Sequence, residues 1–141
     1  GDIRCGFFPD NYKHYIDQAR KNISEANALF DNLAKNKEYY PIVESKLYYK
    51  TLKEGNGQKL GDQTVVTLKY QIMDPNDDCL VTESKKTLDL SKTIPGFAHG
   101  IKGMRIGEIR EIFIHPSFAY GVYTLLDKGI YLKVKVTLLD I

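Results

Sequence analysis

The stretch IPGFAHGIKGMRIGEIREIFIHPSFAYG, residues 94–121, decides how the chain reads. Pro95–Lys102 (PGFAHGIK) has the composition of a short helix closed by Gly103. Glu108–His115 (EIREIFIH) then alternates apolar and polar residues, the period of a strand with one buried face. The glycines at 96, 100, 103 and 107 lack GxGxxG spacing and read as turns and close contacts. Ile94–Phe97 and His115–Gly121 set aromatic residues beside proline and glycine. Such a set is either plain core or the lining of a concave apolar pocket, with the Tyr120 hydroxyl as its polar handle.

The same period of two extends outward on both sides. Ile130–Ile141 (IYLKVKVTLLDI) puts Leu132, Val134, Val136 and Leu138 on one face, and Thr64–Met73 (TVVTLKYQIM) does so with Val66, Leu68, Tyr70 and Ile72. Ser45–Glu54 is a strand ending in the turn signal Gly55-Asn56-Gly57, and Asp74–Asp78 ends the next one. Short extended pieces follow at Cys79–Thr82 and Thr87–Leu90. About five short strands with one interposed helix predict an α+β domain, an antiparallel sheet wrapped on a short helix.

Composition shifts near residue 40. From Asp10 to about Asn36 there is no Gly or Pro, and Ile16, Ala19, Ile23, Ala26, Phe30 and Leu33 follow steps of three and four. That is the seam of a long helix packed along its length, with Pro9-Asp10 as its expected start and Asp10 as N-cap. The seam serves equally to fold the helix onto its own domain or to pair two copies of the chain. The chain is therefore divided into a helical arm, residues 1–40, and a domain, residues 41–141.

With 141 residues, 43% hydrophobic and 27% charged, one compact domain with an appendage is the expected size class, and disorder is not. No run of about 18 apolar residues occurs, so no membrane-spanning helix is predicted. Twenty Lys and Arg against eighteen Asp and Glu leave +2, scattered rather than clustered, and nucleic acid is not an expected partner. Cys5 and Cys79 form no CxxC and have no histidine at ligand spacing, so neither a zinc site nor a dithiol motif is written. His14, His99 and His115 share no ligand spacing and read as surface or capping histidines. GxSxG, GxxxxGK[ST] and HExxH are all missing, and with them the common signatures of nucleophilic, phosphate-loop and zinc-protease chemistry.

Ile94-Pro95-Gly96-Phe97, Gly100-Ile101-Lys102-Gly103-Met104, Gly107-Glu108, Ile114–Gly121 and a closing Val134–Leu139 strand resemble, in order and spacing, the FKBP-type peptidyl-prolyl isomerases. Leu47–Gly57 resembles the first strand of that domain. Ala26, Phe30 and Asn36 are similar to the helix preceding it in the macrophage infectivity potentiator (Mip) branch. The resemblance covers roughly residues 20–141 and implies an FKBP-like sheet preceded by a long N-terminal helix.

It also implies a site. Phe97 falls at the aromatic floor of the prolyl pocket, where the family usually has Trp, while Tyr70 and Val134 match wall positions. Ile94 falls where a backbone N–H meets a substrate carbonyl, and Tyr120 where a tyrosine hydroxyl meets another. Thr93 occupies a wall position usually aliphatic. Glu83 takes the place of the family's pocket Asp, with Thr82 in the place of its Phe, and Leu125 and Leu126 replace the aliphatics of the flap. Two walls are shorter than the family's: three residues separate Ser84 from Leu88, and the Val122–Lys128 loop lacks its Gly-Pro-rich flap.

The implied activity is peptidyl-prolyl cis-trans isomerisation, a rotamase step assisting protein folding, with no cofactor and no metal. The competing reading is an FKBP-like chaperone or peptide-binding module without catalysis. The implied partners are proline-containing polypeptide segments, the family's macrolide inhibitors and, through the N-terminal helix, a second copy of the chain. The Mip branch is exported, so the bacterial periplasm or cell surface is expected, with Gly1 following a removed signal.

Overall fold

The computed structural model describes residues 3–118 and 129–141, with side chains from residue 17 onward. Helix α1 spans Ile3–Lys35 and precedes strand β1, Tyr40–Val43. Strands β2 (Leu47–Lys53), β3 (Val65–Met73) and β4 (Cys79–Asp89) follow, then the single-turn helix η1, Leu90–Lys92. Helix α2 (Pro95–Gly100), strand β5 (Ile109–Ile114), the single turn η2 (Pro116–Phe118) and strand β6 (Leu132–Asp140) complete the order.

The six strands form one antiparallel sheet in the order β1-β2-β5-β6-β3-β4. The fold is thus α+β, a sheet wrapped on a short helix and preceded by a long one. The alternation read in the sequence becomes the two faces of the sheet. Val66, Leu68, Tyr70 and Ile72 of β3, Ile112 and Ile114 of β5, and Leu132, Val134, Val136 and Leu138 of β6 are all buried in one core with Phe97, Ile101 and Met104. Gly103 closes the segment after α2 at φ 81°, a left-handed backbone that suits glycine.

Three expectations are corrected. The helix begins at Ile3 and runs through Pro9-Asp10, which costs one backbone hydrogen bond because proline has no N–H to donate. The pieces at 79–82 and 87–90 are one strand of 11 residues, since β3 pairs along its whole length through two register shifts. A short strand at Tyr40–Val43 joins the edge beside β2.

The opposite face of the sheet carries the arm. Ala19, Ala26, Phe30 and Leu33 of the seam are buried. Phe30 and Leu33 pack with Tyr48, and with Leu29, Tyr39, Phe113 and Tyr131 at the margin. Phe30 meets Tyr48 at 5.9 Å and Tyr131 edge-on at 6.4 Å between centroids. At Phe30 and Leu33 the seam is thus spent on the chain's own sheet, while Ile23 is half-buried. The helix ends where Asn36 turns the chain: Asn36 N–H donates to the Leu33 carbonyl, and the Asn36 side chain accepts from Glu38 N–H at 2.9 Å. Tyr39 then anchors the connection, its hydroxyl donating to Glu111 at 2.7 Å. Burial, with help from that carboxylate, pushes the Tyr39 phenol up to about 12.

Candidate functional site

The turn η1 and helix α2 bring the expected pocket residues to the end of the core beside β3 and β6. Asp89 caps η1, its carboxylate accepting from Ser91 N–H at 3.0 Å and Ser91 Oγ at 2.6 Å. Those bonds hold its carboxyl below the ordinary carboxylate range. The half-buried Thr93 donates its hydroxyl to the Leu90 carbonyl at 3.0 Å, so its polar end is turned back onto η1.

Ile94 is the N-cap of α2, with φ −63° and ψ 146°, and Pro95 begins the helix because its missing N–H is no loss there. The Ile94 carbonyl accepts from Phe97 N–H at 3.1 Å and Ala98 N–H at 3.2 Å. The Ile94 amide N–H has no hydrogen-bond partner among the described residues. One turn on, Phe97 is 3% exposed and meets the Tyr70 ring edge-to-face, centroids 5.2 Å apart at 73°. Val134 is fully buried in the same core, in register with Ile72 on one side and Ile112 on the other.

Glu83 pairs directly with Tyr70 across the β3–β4 ladder and is partly buried. Opposed residues of an antiparallel pair share a face, so the carboxylate stands on the Tyr70 side. Thr82 pairs with Gln71 on the other face and its hydroxyl lies 2.8 Å from Cys79 Sγ. No aromatic wall rises from residues 84–88. Leu68 pairs with Lys86 and Tyr70 with Glu83, so β4 has only a one-residue bulge there and runs on. Tyr120, Leu125 and Leu126 lie outside the described residues.

Close approach governs how α2 sits on the sheet. A β-carbon on Gly96 would fall 2.3 Å from Ile114 Cγ2 and 2.9 Å from the Phe118 carbonyl, so only glycine admits this packing. At the other end of α2, the buried Arg110 gathers the helix's free carbonyls, donating to Gly100 O and Lys102 O at 3.0 Å each. Its Nε donates to Glu108 Oε2 at 2.8 Å, and its guanidinium lies 4.1 Å from the centre of the Tyr49 ring. Glu108 is satisfied further by Arg105 N–H at 3.2 Å and the Thr51 hydroxyl at 3.3 Å. Sequence reading did not single out this network, because an Arg within an apolar alternation looks like a solvated position.

His115, read as a surface or capping histidine, is the capping kind: its Nδ1 takes the Ser117 N–H of η2. It is 2% exposed, not a surface residue. Burial is tolerated because both ring nitrogens are engaged. Nδ1 accepts from Ser117 N–H at 3.1 Å and lies 2.9 Å from Ser117 Oγ, while Nε2 lies 2.8 Å from Asn27 Oδ1 on α1. An accepting Nδ1 places the proton on Nε2, which donates to Asn27. Burial, and secondarily the Lys46 charge, pulls its pKa down to about 4.

No group of three potential metal ligands is found among the described residues, and no helix among them is long and apolar enough to cross a membrane. The arrangement is an aromatic pair at one end of an apolar core, flanked by an open amide and a carboxylate. Among the described residues it contains binding elements and no nucleophile held by a base.

Comparison with known proteins identifies the family of the fold. Residues 55–136 match the FKBP-type peptidyl-prolyl cis-trans isomerase family. The peptidyl-prolyl cis-trans isomerase Mip of Chlamydia pneumoniae is 32% identical over 127 residues, covering 87% of this chain and 49% of that protein. The outer membrane protein MIP of Legionella longbeachae is 29% identical over 108 residues, covering 74% of this chain and 46% of that protein. The chain thus spans about half the length of the curated relatives it matches. Among solved structures, FkpA from Escherichia coli superposes with a TM-score of 0.81 at 21% identity, over 92% of this chain and 63% of that one. The long helix and the sheet superpose on a known fold, the family model covers more than half of the sequence, and this chain belongs to the FKBP-type peptidyl-prolyl cis-trans isomerase family.

Proposed function

We propose that the chain is a peptidyl-prolyl cis-trans isomerase acting on X-Pro segments of polypeptides. The observation that carries this reading is the edge-to-face pair of Tyr70 and Phe97 one turn from the open amide of Ile94. Rotation about an X-Pro amide has a barrier of ~18–20 kcal/mol, because resonance is lost, and no bond has to break. A catalyst therefore needs only to favour the twisted amide over the planar one. An apolar pocket does so by withholding the water that stabilises the polar planar form, while hydrogen bonds hold the flanking chain.

In this reading Phe97 is the floor under the prolyl ring, and Tyr70 and Val134 form walls. The Ile94 N–H and the Tyr120 hydroxyl bind substrate carbonyls. Glu83, Thr93, Leu125 and Leu126 border the entrance. The family's macrolide inhibitors are competing ligands for the same pocket. A protease-free isomerisation assay on a series of proline tetrapeptides tests the reading, with wild type, Phe97→Ala and Tyr120→Phe compared. Catalysis by wild type, reduced at least tenfold by Phe97→Ala, supports it. Wild-type rates at background, with refolding of a proline-limited protein also unaffected, would sink it.

A specific observation keeps the second reading in view: β4 continues through residues 84–88 without an aromatic wall. A pocket open on that side suits a chaperone or peptide-binding module. Binding of proline peptides without turnover is the result that selects it.

The exported compartment and self-association belong to the same proposal. The likeness to an outer membrane protein of Legionella longbeachae supports a periplasmic or surface location, which fractionation of cells carrying the tagged full-length protein tests. A homodimer through the N-terminal helix would use parts of α1 other than Phe30 and Leu33, which are packed on the sheet. Sedimentation at several concentrations decides that point. The division into arm, 1–40, and domain, 41–141, is tested by whether residues 41–141 fold alone.

A further inference from the structure

A continuous set of contacts joins the arm to the pocket helix. Asn27 on α1 accepts from His115 at 2.8 Å, and the Phe30 ring stands edge-on to the imidazole at 5.5 Å and 82°. The imidazole in turn fixes the start of η2, through Ser117 N–H on Nδ1, while the His115 backbone takes Phe118 N–H at 2.8 Å and donates to Lys46 O at 2.9 Å. The Phe118 carbonyl then closes on Gly96, the residue just before Phe97, with no room for a side chain. Every link is buried, or is a hydrogen bond to a buried group, and none is long enough to be loose.

We propose that His115 is a positioning residue of the isomerase site, through which docking of the arm helix sets the placement of Ile94 and Phe97. The inference rests on the isomerase reading above and adds a regulatory role for α1. Undocking the helix takes away the acceptor for Nε2–H. The η2 turn then loses the brace that keeps it against Gly96. The pocket amide and the aromatic floor shift together, because α2 has less than two turns in which to absorb the movement. Small displacements of binding groups matter in a reaction catalysed by position alone. A ligand or partner that grips α1 would therefore change turnover without touching the pocket.

Asn27→Ala tests this in the full chain, since Asn27 is exposed and alanine favours helix. The expected result is a three- to tenfold fall in kcat/KM, lying in kcat, together with shifted amide resonances of Gly96 and Phe97. Asn27→Asp, which keeps an oxygen acceptor, restores both. Unchanged kcat/KM in Asn27→Ala overturns the inference, whether or not the amide resonances move, because the contact would then be structural only. If wild type itself shows no turnover, the isomerase reading fails separately. The positioning role is then read from the Kd of a proline tetrapeptide by amide-shift titration: a three- to tenfold weakening in Asn27→Ala supports it, and an unchanged Kd overturns it.

Discussion

Tyr70 and Phe97 come from a strand and a helix 27 residues apart in the chain, yet their rings meet edge-to-face at 5.2 Å. The positive edge of one ring faces the negative face of the other, an arrangement that adds about 1 kcal/mol to the area both rings bury. It also fixes the floor relative to the wall of the proposed pocket. Phe97→Leu keeps most of the volume and loses the ring. It is expected to cost about 1 kcal/mol of stability by urea unfolding and roughly tenfold in kcat/KM, one tenfold step being about 1.4 kcal/mol of barrier. A variant with unaltered kcat/KM would remove Phe97 from the site.

Arg110 holds the far end of α2 to the sheet through two carbonyls and Glu108. Its removal leaves a buried carboxylate and two carbonyls without their donor. Arg110→Met is expected to destabilise by about 3 kcal/mol, with Glu108→Gln in the same chain recovering part of it. Arg110→Lys should recover little, since one ammonium cannot reproduce the fork that serves both ends. Chemical unfolding of the four proteins checks the set.

Phe30 is 1% exposed and is, among the described residues, the largest side chain that α1 lends to the sheet. Phe30→Ala should lower the stability of helix docking by about 3–5 kcal/mol. Hydrogen exchange should then accelerate in residues 19–35 while the central strands β5 and β6 stay protected. Uniform acceleration would instead mean that arm and domain unfold as one unit.

His115 predicts a pH dependence of a definite sign. Its pKa is lowered to about 4 in the folded chain, against an ordinary value of 6.5. Between those values the unfolded chain binds a proton that the folded chain refuses, so stability falls as pH drops from 6.5 and levels off below 4. The loss is about 3 kcal/mol at most. Lys46 adds to it by repelling the new charge, while Asn27 and Ser117 are neutral. His115→Gln should flatten the melting temperature between pH 6.5 and 4, at some cost in stability at pH 7; an unchanged slope would show that other groups carry it.

Strand positions were legible because the sheet's central strands have one apolar face, and a period of two survives in Val66–Ile72 and Leu132–Leu138. Helix α1 was legible for the same reason at a period of three to four. Its start was not, because a proline that the helix tolerates looks like a boundary. The break read at residues 83–86 was also absent from the fold. On an edge strand, polar residues such as Lys85 and Lys86 face solvent on both sides and hide the pairing.

His115 and Arg110 mark the limit of the reading. Each looks like a surface residue because its neighbours in the chain, Ser117 and Glu108, supply only part of its bonding: Asn27 is 88 residues from His115, and the Gly100 carbonyl is 10 residues from Arg110. The sequence by itself determined the α+β class, the apolar faces of its strands and helix, and the family. Tertiary structure alone decided that Phe30 and Leu33 of the arm pack on the sheet, that β4 is continuous, and that a histidine after β5 bonds to the arm helix. Periodicity is written into neighbouring residues, whereas burial of a polar group depends on a partner that only folding brings within hydrogen-bonding distance.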